Sequence, residues 1–366
     1  MEVRIKLGWL LQIIGTGFAI LALADVYLTV LYPRGDKGVI SVPLARGLWQ
    51  LFRFSAKKTR RHRDRILSYM GSTLLVVTVA VWILLLLIGF ALISWAALGE
   101  QIQMQGRDTP TDFATAIYYS GYSMVTLGTG DITPQTSTYR LLMILEAFLG
   151  FSVFTITLTY LQSVYSQLIQ RNVFALSLHH RTGKTADAAV LLARLSNHGS
   201  FDSTTRQELS NIAQNLLNFI ESNHSYPAIS YFRLQESCYA LARVIFLAMD
   251  TVTLIKSALD VETHHSLIHS AAVRDLEESG MHFLTLTETF LPSRALRVKM
   301  QPEHVWRSRY YRAIEQLMNQ GIVTVGDREA GADLYVSLRH HWNSNIIALA
   351  KYMEYDWSAI APLETE

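Results

Sequence analysis

The chain has 366 residues, half of them hydrophobic and 17% charged, with a net charge of +2 and a mean hydropathy of +0.20. Soluble domains carry about 25% charged residues, so this composition excludes a disordered chain and argues for membrane segments over a single soluble domain. One cysteine, Cys238, excludes an intrachain disulfide and a cysteine-based zinc centre.

The first apolar run spans residues 7–32 and is interrupted only by Gln12 and Asp25. About 20 apolar residues are needed to cross the hydrocarbon core, so the run is long enough for a membrane helix. Ala22-Leu23-Ala24 resembles a signal-peptide cleavage site. The apolar character continues past it through Val26–Leu31, and we read a retained helix.

Residues 33–70 carry ten basic side chains against two acidic ones, Asp36 and Asp64, an excess of eight positive charges. Such a stretch marks the cytoplasmic side of a membrane, which puts the N-terminus outside. Within it, Leu44, Leu48, Leu51 and Phe52 fall at helical spacing, with Arg46, Arg53 and Arg60 seven apart on another face. This pattern predicts an amphipathic helix on the inner leaflet, with anionic lipids as partners over 44–65. No nucleic-acid partner is expected.

Residues 73–98 contain no charge, and residues 141–164 contain only Glu146. Both predict spanning helices. Between them lies Thr109-Pro110-Thr111-Asp112 followed by Phe113–Val125, which reads as a short helix with Thr109 as cap and Pro110 in its first turn. Thr126-Leu127-Gly128-Thr129-Gly130-Asp131 comes next, and then the turn at Ile132-Thr133-Pro134. Irregular backbone at membrane depth is tolerated only where it is buried or lines a water path. Two glycines one residue apart allow successive carbonyls to face one axis, and stacked carbonyl rings can replace an ion's hydration shell. The short helix would aim its partly negative end at a cation.

These residues resemble the pore domain of the potassium channel superfamily, whose filter reads T-V-G-Y-G-D. The likeness covers roughly 72–165 and rests on Thr126, Gly128, Gly130 and Asp131. Tyr118 and Tyr119 stand where such channels place an aromatic pair supporting the filter. Arg140 and Glu146 fit an R-x5-E pattern of the inner helix. Gly150 stands where related channels carry a hinge glycine for gate opening. The resemblance implies potassium at the carbonyls of Thr126, Leu127, Gly128 and Thr129, with the Thr126 hydroxyl as innermost ligand. Leu127 completes the filter strip, and Asp131 could accept a hydrogen bond from Tyr118. The usual aromatic between the glycines is Thr129 here, which thins the cuff that holds the filter's diameter. One filter strip per chain implies a homotetramer.

Beyond residue 165 the charge is nearly balanced, and the apolar pattern keeps helical period. Helices are predicted over Thr204–Ile220, capped by Thr204 with Gln207, and over Ser230–Ser257, His304–Asn319 and Asp333–Met353. Arg181-Thr182-Gly183-Lys184-Thr185 lacks the leading glycine of a P-loop. His265 and His269 are four apart, but such pairs are more often surface or packing residues than metal ligands.

The resulting expectation is an all-α membrane protein with a pore-loop cation channel fold: outer helix, pore helix, filter and inner helix. An N-terminal transmembrane helix (1–32), a basic cytoplasmic loop (33–71) and a helical cytoplasmic domain (166–366) flank the pore domain (72–165). We expect a multi-pass inner-membrane potassium channel that is not an enzyme and needs no cofactor beyond the permeant ion. Its gating ligand or partner is unassigned. Two alternatives remain: a weakly selective cation channel, and a membrane-anchored binding module with a non-conducting pore.

Overall fold

The computed structural model describes residues 2–32, 38–292 and 295–362. Arg34, Asp36 and Lys37 of the basic stretch lie outside the described residues. The chain divides into two units, Met1–Ser166 with His224–Phe232, and Gln167–Asn223 with Arg233–Glu366. Among the described residues, three helices are long and apolar enough to cross a membrane: Leu7–Leu31, Arg63–Trp95 and Ser137–Arg181.

In the first unit, α1 (Glu2–Val26) runs into a π-helical turn, Tyr27–Leu31. There follow α2 (Ser41–Lys58), α3 (Arg63–Ser68), α4 (Met70–Trp95), the strand β1 (Ile102–Met104), α5 (Phe113–Met124), the strand β2 (Ile132–Pro134) and α6 (Ser137–Arg181). Apolar residues on every side of α4 leave lipid and neighbouring helices as its solvent. Lipid tails provide no hydrophobic drive between spans, so close approach of small residues does the packing. A Cβ added to Gly15 on α1 would lie 2.3 Å from the Gly89 carbonyl oxygen on α4, and Ala19 and Ala22 continue the contact as buried residues.

Asp25 is fully buried and ties three elements together. Its carboxylate accepts from Trp82 Nε1 on α4 at 2.7 Å, and from the Ile40 and Ser41 amides that open α2, at 2.8 and 3.2 Å. The residue preceding α2, Ile40, has no capping side chain, so the cap comes from a carboxylate 15 residues upstream. On α2 itself Ser41, Ala45, Trp49 and Ala56 are buried, while Leu51 and Phe54 are exposed.

The two strands pair antiparallel, with Gln103 opposite Thr133. This ribbon is absent from the sequence reading because each strand is only three residues long. With that exception the described fold is helical, and the order outer helix (α4), pore helix (α5), strip, inner helix (α6) is that of a pore-loop channel.

The second unit comprises α7 (Ala188–Leu195), α8 (Ser203–Ser225), α9 (Leu241–Ala258), α10 (His265–Ile268), α11 (Ala271–Phe290), α12 (Glu303–Asn319), α13 (Arg328–His340), α14 (Asn343–Tyr352) and α15 (Trp357–Ile360). The last two residues of α8, His224 and Ser225, are counted with the first unit, and the end of α6, from Gln167 to Arg181, with the second. The centre is α9, buried along nearly its whole length. Its Asp250 accepts from Arg309 Nη2 at 2.7 Å and from the Tyr335 hydroxyl at 2.5 Å. The Arg309 guanidinium also lies 4.8 Å from the centroid of the Phe246 ring. A charge buried this deeply persists because it is paired and hydrogen-bonded.

Several helix boundaries differ from the sequence reading. The inner helix does not end at residue 164 but continues to Arg181. Asp202, not Thr204, caps α8, accepting from the Thr204 and Thr205 amides at 2.8 and 3.1 Å. Ser230–Ala240 is not α-helical like the rest of Ser230–Ser257: it holds the end of one 3-10 turn, Pro227–Tyr231, and a second, Ser237–Tyr239, and α9 begins only at Leu241. The stretch Asp333–Met353 is two helices. Bonds from the His341 and Trp342 amides to Leu338 and Arg339 tighten the end of α13, and the Trp342 indole turns inward to Thr253 Oγ1.

Candidate functional site: the strip between pore helix and inner helix

Asp112 starts the pore helix α5, accepting from the Thr115 amide at 3.0 Å and the Thr115 hydroxyl at 2.9 Å. The expected cap, Thr109, is engaged elsewhere: its Oγ1 accepts from the Met104 amide on β1 at 2.8 Å. Pro110 therefore precedes the helix and does not lie in its first turn.

The helix ends in two bonds. The Leu127 amide donates to the Tyr122 carbonyl at 2.9 Å and the Thr126 amide to the Ser123 carbonyl at 3.1 Å. This is a Schellman closure, whose left-handed position normally holds glycine. Here Thr126 occupies it at φ +57°. Every second residue from there is also left-handed, with Gly128 at +65° and Gly130 at +73°. A β-branched residue at positive φ is a strained exception, and such strain concentrates at functional sites.

Among the described residues, none of the carbonyls of Thr126, Leu127, Gly128, Thr129 and Gly130 accepts a hydrogen bond. The strip is exposed in the single chain, with Leu127 at 68%. It is a row of five free acceptors held at both ends. The near end is the helix closure. At the far end the Asp131 carbonyl accepts from the Gln105 amide at 2.9 Å, and the ribbon follows at once.

The Asp131 carboxylate joins two predicted site residues. Thr129 Oγ1 donates to its Oδ1 at 2.8 Å and the Tyr118 hydroxyl to its Oδ2 at 3.1 Å. These two bonds, the Thr129 bond foremost, hold the Asp131 carboxyl below the usual carboxylate range. Tyr119 is buried and packs edge-on against Tyr122, ring centroids 5.5 Å apart. Tyr122 was not singled out in the sequence, yet its hydroxyl donates to the Ile132 carbonyl just beyond the strip.

Behind the strip, α5 and α6 meet in a matched register. The Ser120 hydroxyl donates to the buried Glu146 carboxylate. One turn on, a Cβ added to Gly150 would lie 2.4 Å from Met124 Cγ and 2.5 Å from the Met124 carbonyl oxygen. Glu146 and Gly150 thus face the pore helix one turn apart, opposite Ser120 and Met124, and α6 passes Gly150 without a break. Ser120 and Met124 also escaped the sequence reading. The only trace of them there is the shared spacing of four in 120/124 and 146/150. Arg140 lies apart from this pair, donating to the Pro134 carbonyl at 3.2 Å. Among the described residues, no group of three or more His, Cys, Asp and Glu side chains could hold a metal ion.

Comparison with known proteins agrees with this geometry. A family model described as an ion channel matches residues 73–167. An uncharacterized membrane protein of Bacillus subtilis (strain 168), YdjJ, is 33% identical over 159 residues, which is 43% of this chain and 45% of that relative. The match therefore spans less than half the length of the relative. No solved structure matches the chain. Together these findings support a membrane-embedded ion channel.

Proposed function

We propose that four copies of this chain surround one axis and conduct potassium through stacked rings of the Thr126, Leu127, Gly128 and Thr129 carbonyls. The observation that carries this reading is the row of unbonded carbonyls fixed between a capped short helix and a spanning helix. A backbone carbonyl is an obligatory acceptor, and a bare cation is the partner that a converging set of them would take. The Thr126 hydroxyl adds the innermost ligands. Gly150 supplies the bend that opens the inner helix, and the helical domain 166–366 regulates that opening.

The excess of basic residues over 33–70 supports a cytoplasmic loop there, with the N-terminus outside and the helical domain inside. The exposed Leu51 and Phe54 on α2, with Lys57 and Lys58 at its end, suit an anionic inner leaflet.

A second reading is a weakly selective cation pore. It is favoured by Thr129, whose hydroxyl bonds to Asp131 where an aromatic ring would otherwise brace the strip. Purified protein in liposomes under a potassium/sodium gradient decides between the two. Reversal near the potassium potential supports the first reading; reversal near zero refutes it. A Thr129→Tyr variant should then move the reversal toward the potassium potential. Absence of any cation flux with the assembly intact would refute both.

A further inference from the structure

The segment His224–Phe232 is grouped with the membrane unit, while the chain through Asn223 and from Arg233 belongs to the second unit. The chain thus crosses between the units three times: at Ser166/Gln167, at Asn223/His224 and at Phe232/Arg233. Two of these crossings flank nine residues whose aromatic side chains engage three different elements of the membrane unit.

Tyr226 lies against Tyr160 of the inner helix α6, ring centroids 6.0 Å apart. Phe232 lies edge-on against Tyr165, also on α6, at 6.0 Å. The Phe232 ring also fills the space above Gly71 at the start of the outer helix α4, where an added Cβ would stand 2.4 Å from the ring. Tyr231 reaches the buried Trp49 of α2 at 6.3 Å. Beside Tyr231 lies a partly open pocket bordered by Leu28, Thr78, Tyr160 and His224.

We propose that His224–Phe232 is a strap by which the helical domain controls the pore. Docked, it pins the inner helix at Tyr160 and Tyr165, beyond Gly150, to the start of the outer helix and to α2, holding α6 unbent. Released, it frees α6 to bend. This inference rests on the ion-conduction reading above. Rings packed edge to face prefer one geometry over others, so the strap has a defined docked state and a defined loss on leaving it.

The test uses the full-length protein in liposomes, with potassium flux as the readout. Phe232→Ala and Tyr226→Leu should each raise flux by roughly 3- to 10-fold at unchanged reversal potential. Gly71→Ala drives a methyl group into the Phe232 ring and should raise flux similarly. Because all three act by undocking one strap, Gly71→Ala with Phe232→Ala should exceed Phe232→Ala alone by less than about twofold. Tyr165→Leu, on the inner helix itself, stands in for any variant that loses the assembled species on size exclusion. If wild-type protein conducts and these variants match it, or if their effects multiply independently, the strap is refuted. If wild-type protein passes no cation, the conduction reading falls first.

Discussion

Replacing Thr126 by glycine separates the two demands made on that position. At φ +57° a residue with a Cβ carries a penalty of about 1–2 kcal/mol. Glycine removes it but loses about 0.5–1 kcal/mol through the freer unfolded chain. The helix closure from Leu127 and Thr126 to Tyr122 and Ser123 uses only backbone atoms and survives the change. Thr126→Gly should therefore stabilise each chain by a net ~0.5–1 kcal/mol, raising the midpoint of thermal loss of the assembled species by about 1–4 °C. The same variant removes the hydroxyl proposed as the innermost ligand, so the preference for potassium over sodium should fall, while Thr126→Ser keeps it. Size-exclusion profiles after heating and reversal potentials in liposomes read the two effects separately. A Thr126→Gly protein that is less stable than wild type would refute the strain argument. Unchanged selectivity would refute the ligand role.

Three further outcomes are expected. Gly150→Ala places a methyl group against Met124 Cγ and the Met124 carbonyl, and overpacking of this kind costs about 1–3 kcal/mol; thermal loss of the assembly should come earlier and potassium flux should fall. Asp25→Ala leaves Trp82 Nε1 and the Ile40 and Ser41 amides without their acceptor; at about 1–3 kcal/mol per buried unsatisfied donor, thermal stability should drop sharply, and Asp25→Asn, which keeps one oxygen, should fall between. The Asp131 carboxyl is held below its ordinary value of 3.8, so its stabilising contribution is complete above that value and is lost as pH falls through the lower, folded one. Flux should show no protonation step of Asp131 between about pH 8 and about pH 5 on the filter side, whereas Asp131→Asn should reduce flux across that whole range; an Asp131-dependent step near neutral pH would contradict this assignment.

The spans and the strip were legible in the sequence because each is written locally. An uninterrupted apolar stretch such as Leu74–Ile93 has one physical solution, and T-x-G-x-G-D places its glycines where the backbone turns left-handed. What escaped depends on partners distant in the chain. A charge in a span calls for a hydrogen-bonding neighbour, but which one Asp25 takes is not written locally: its indole partner is 57 residues away. Thr109 looked like a helix cap until the Met104 amide, on a strand too short to signal itself, claimed its hydroxyl. Ser120 and Glu146 find each other only through the packing of α5 on α6. Ser230–Ala240 has helical apolar spacing, yet Tyr231 and Phe232 serve contacts with α2, α4 and α6 that no local pattern encodes.

The order in which the chain is made gives the position of His224–Phe232 a further meaning. Fifty-seven residues, Gln167–Asn223, separate it from the rest of the membrane unit. At about 5–20 residues per second of synthesis, the pore-forming part waits roughly 3–11 s for the piece that completes it. During that interval Trp49, Gly71 and Tyr165 lack their partners, and the last third of α6, with α7 and nearly all of α8, is made first. Completion of the membrane unit is thereby timed by production of the first part of the other unit, so a truncated product ending before residue 224 would be born without its strap.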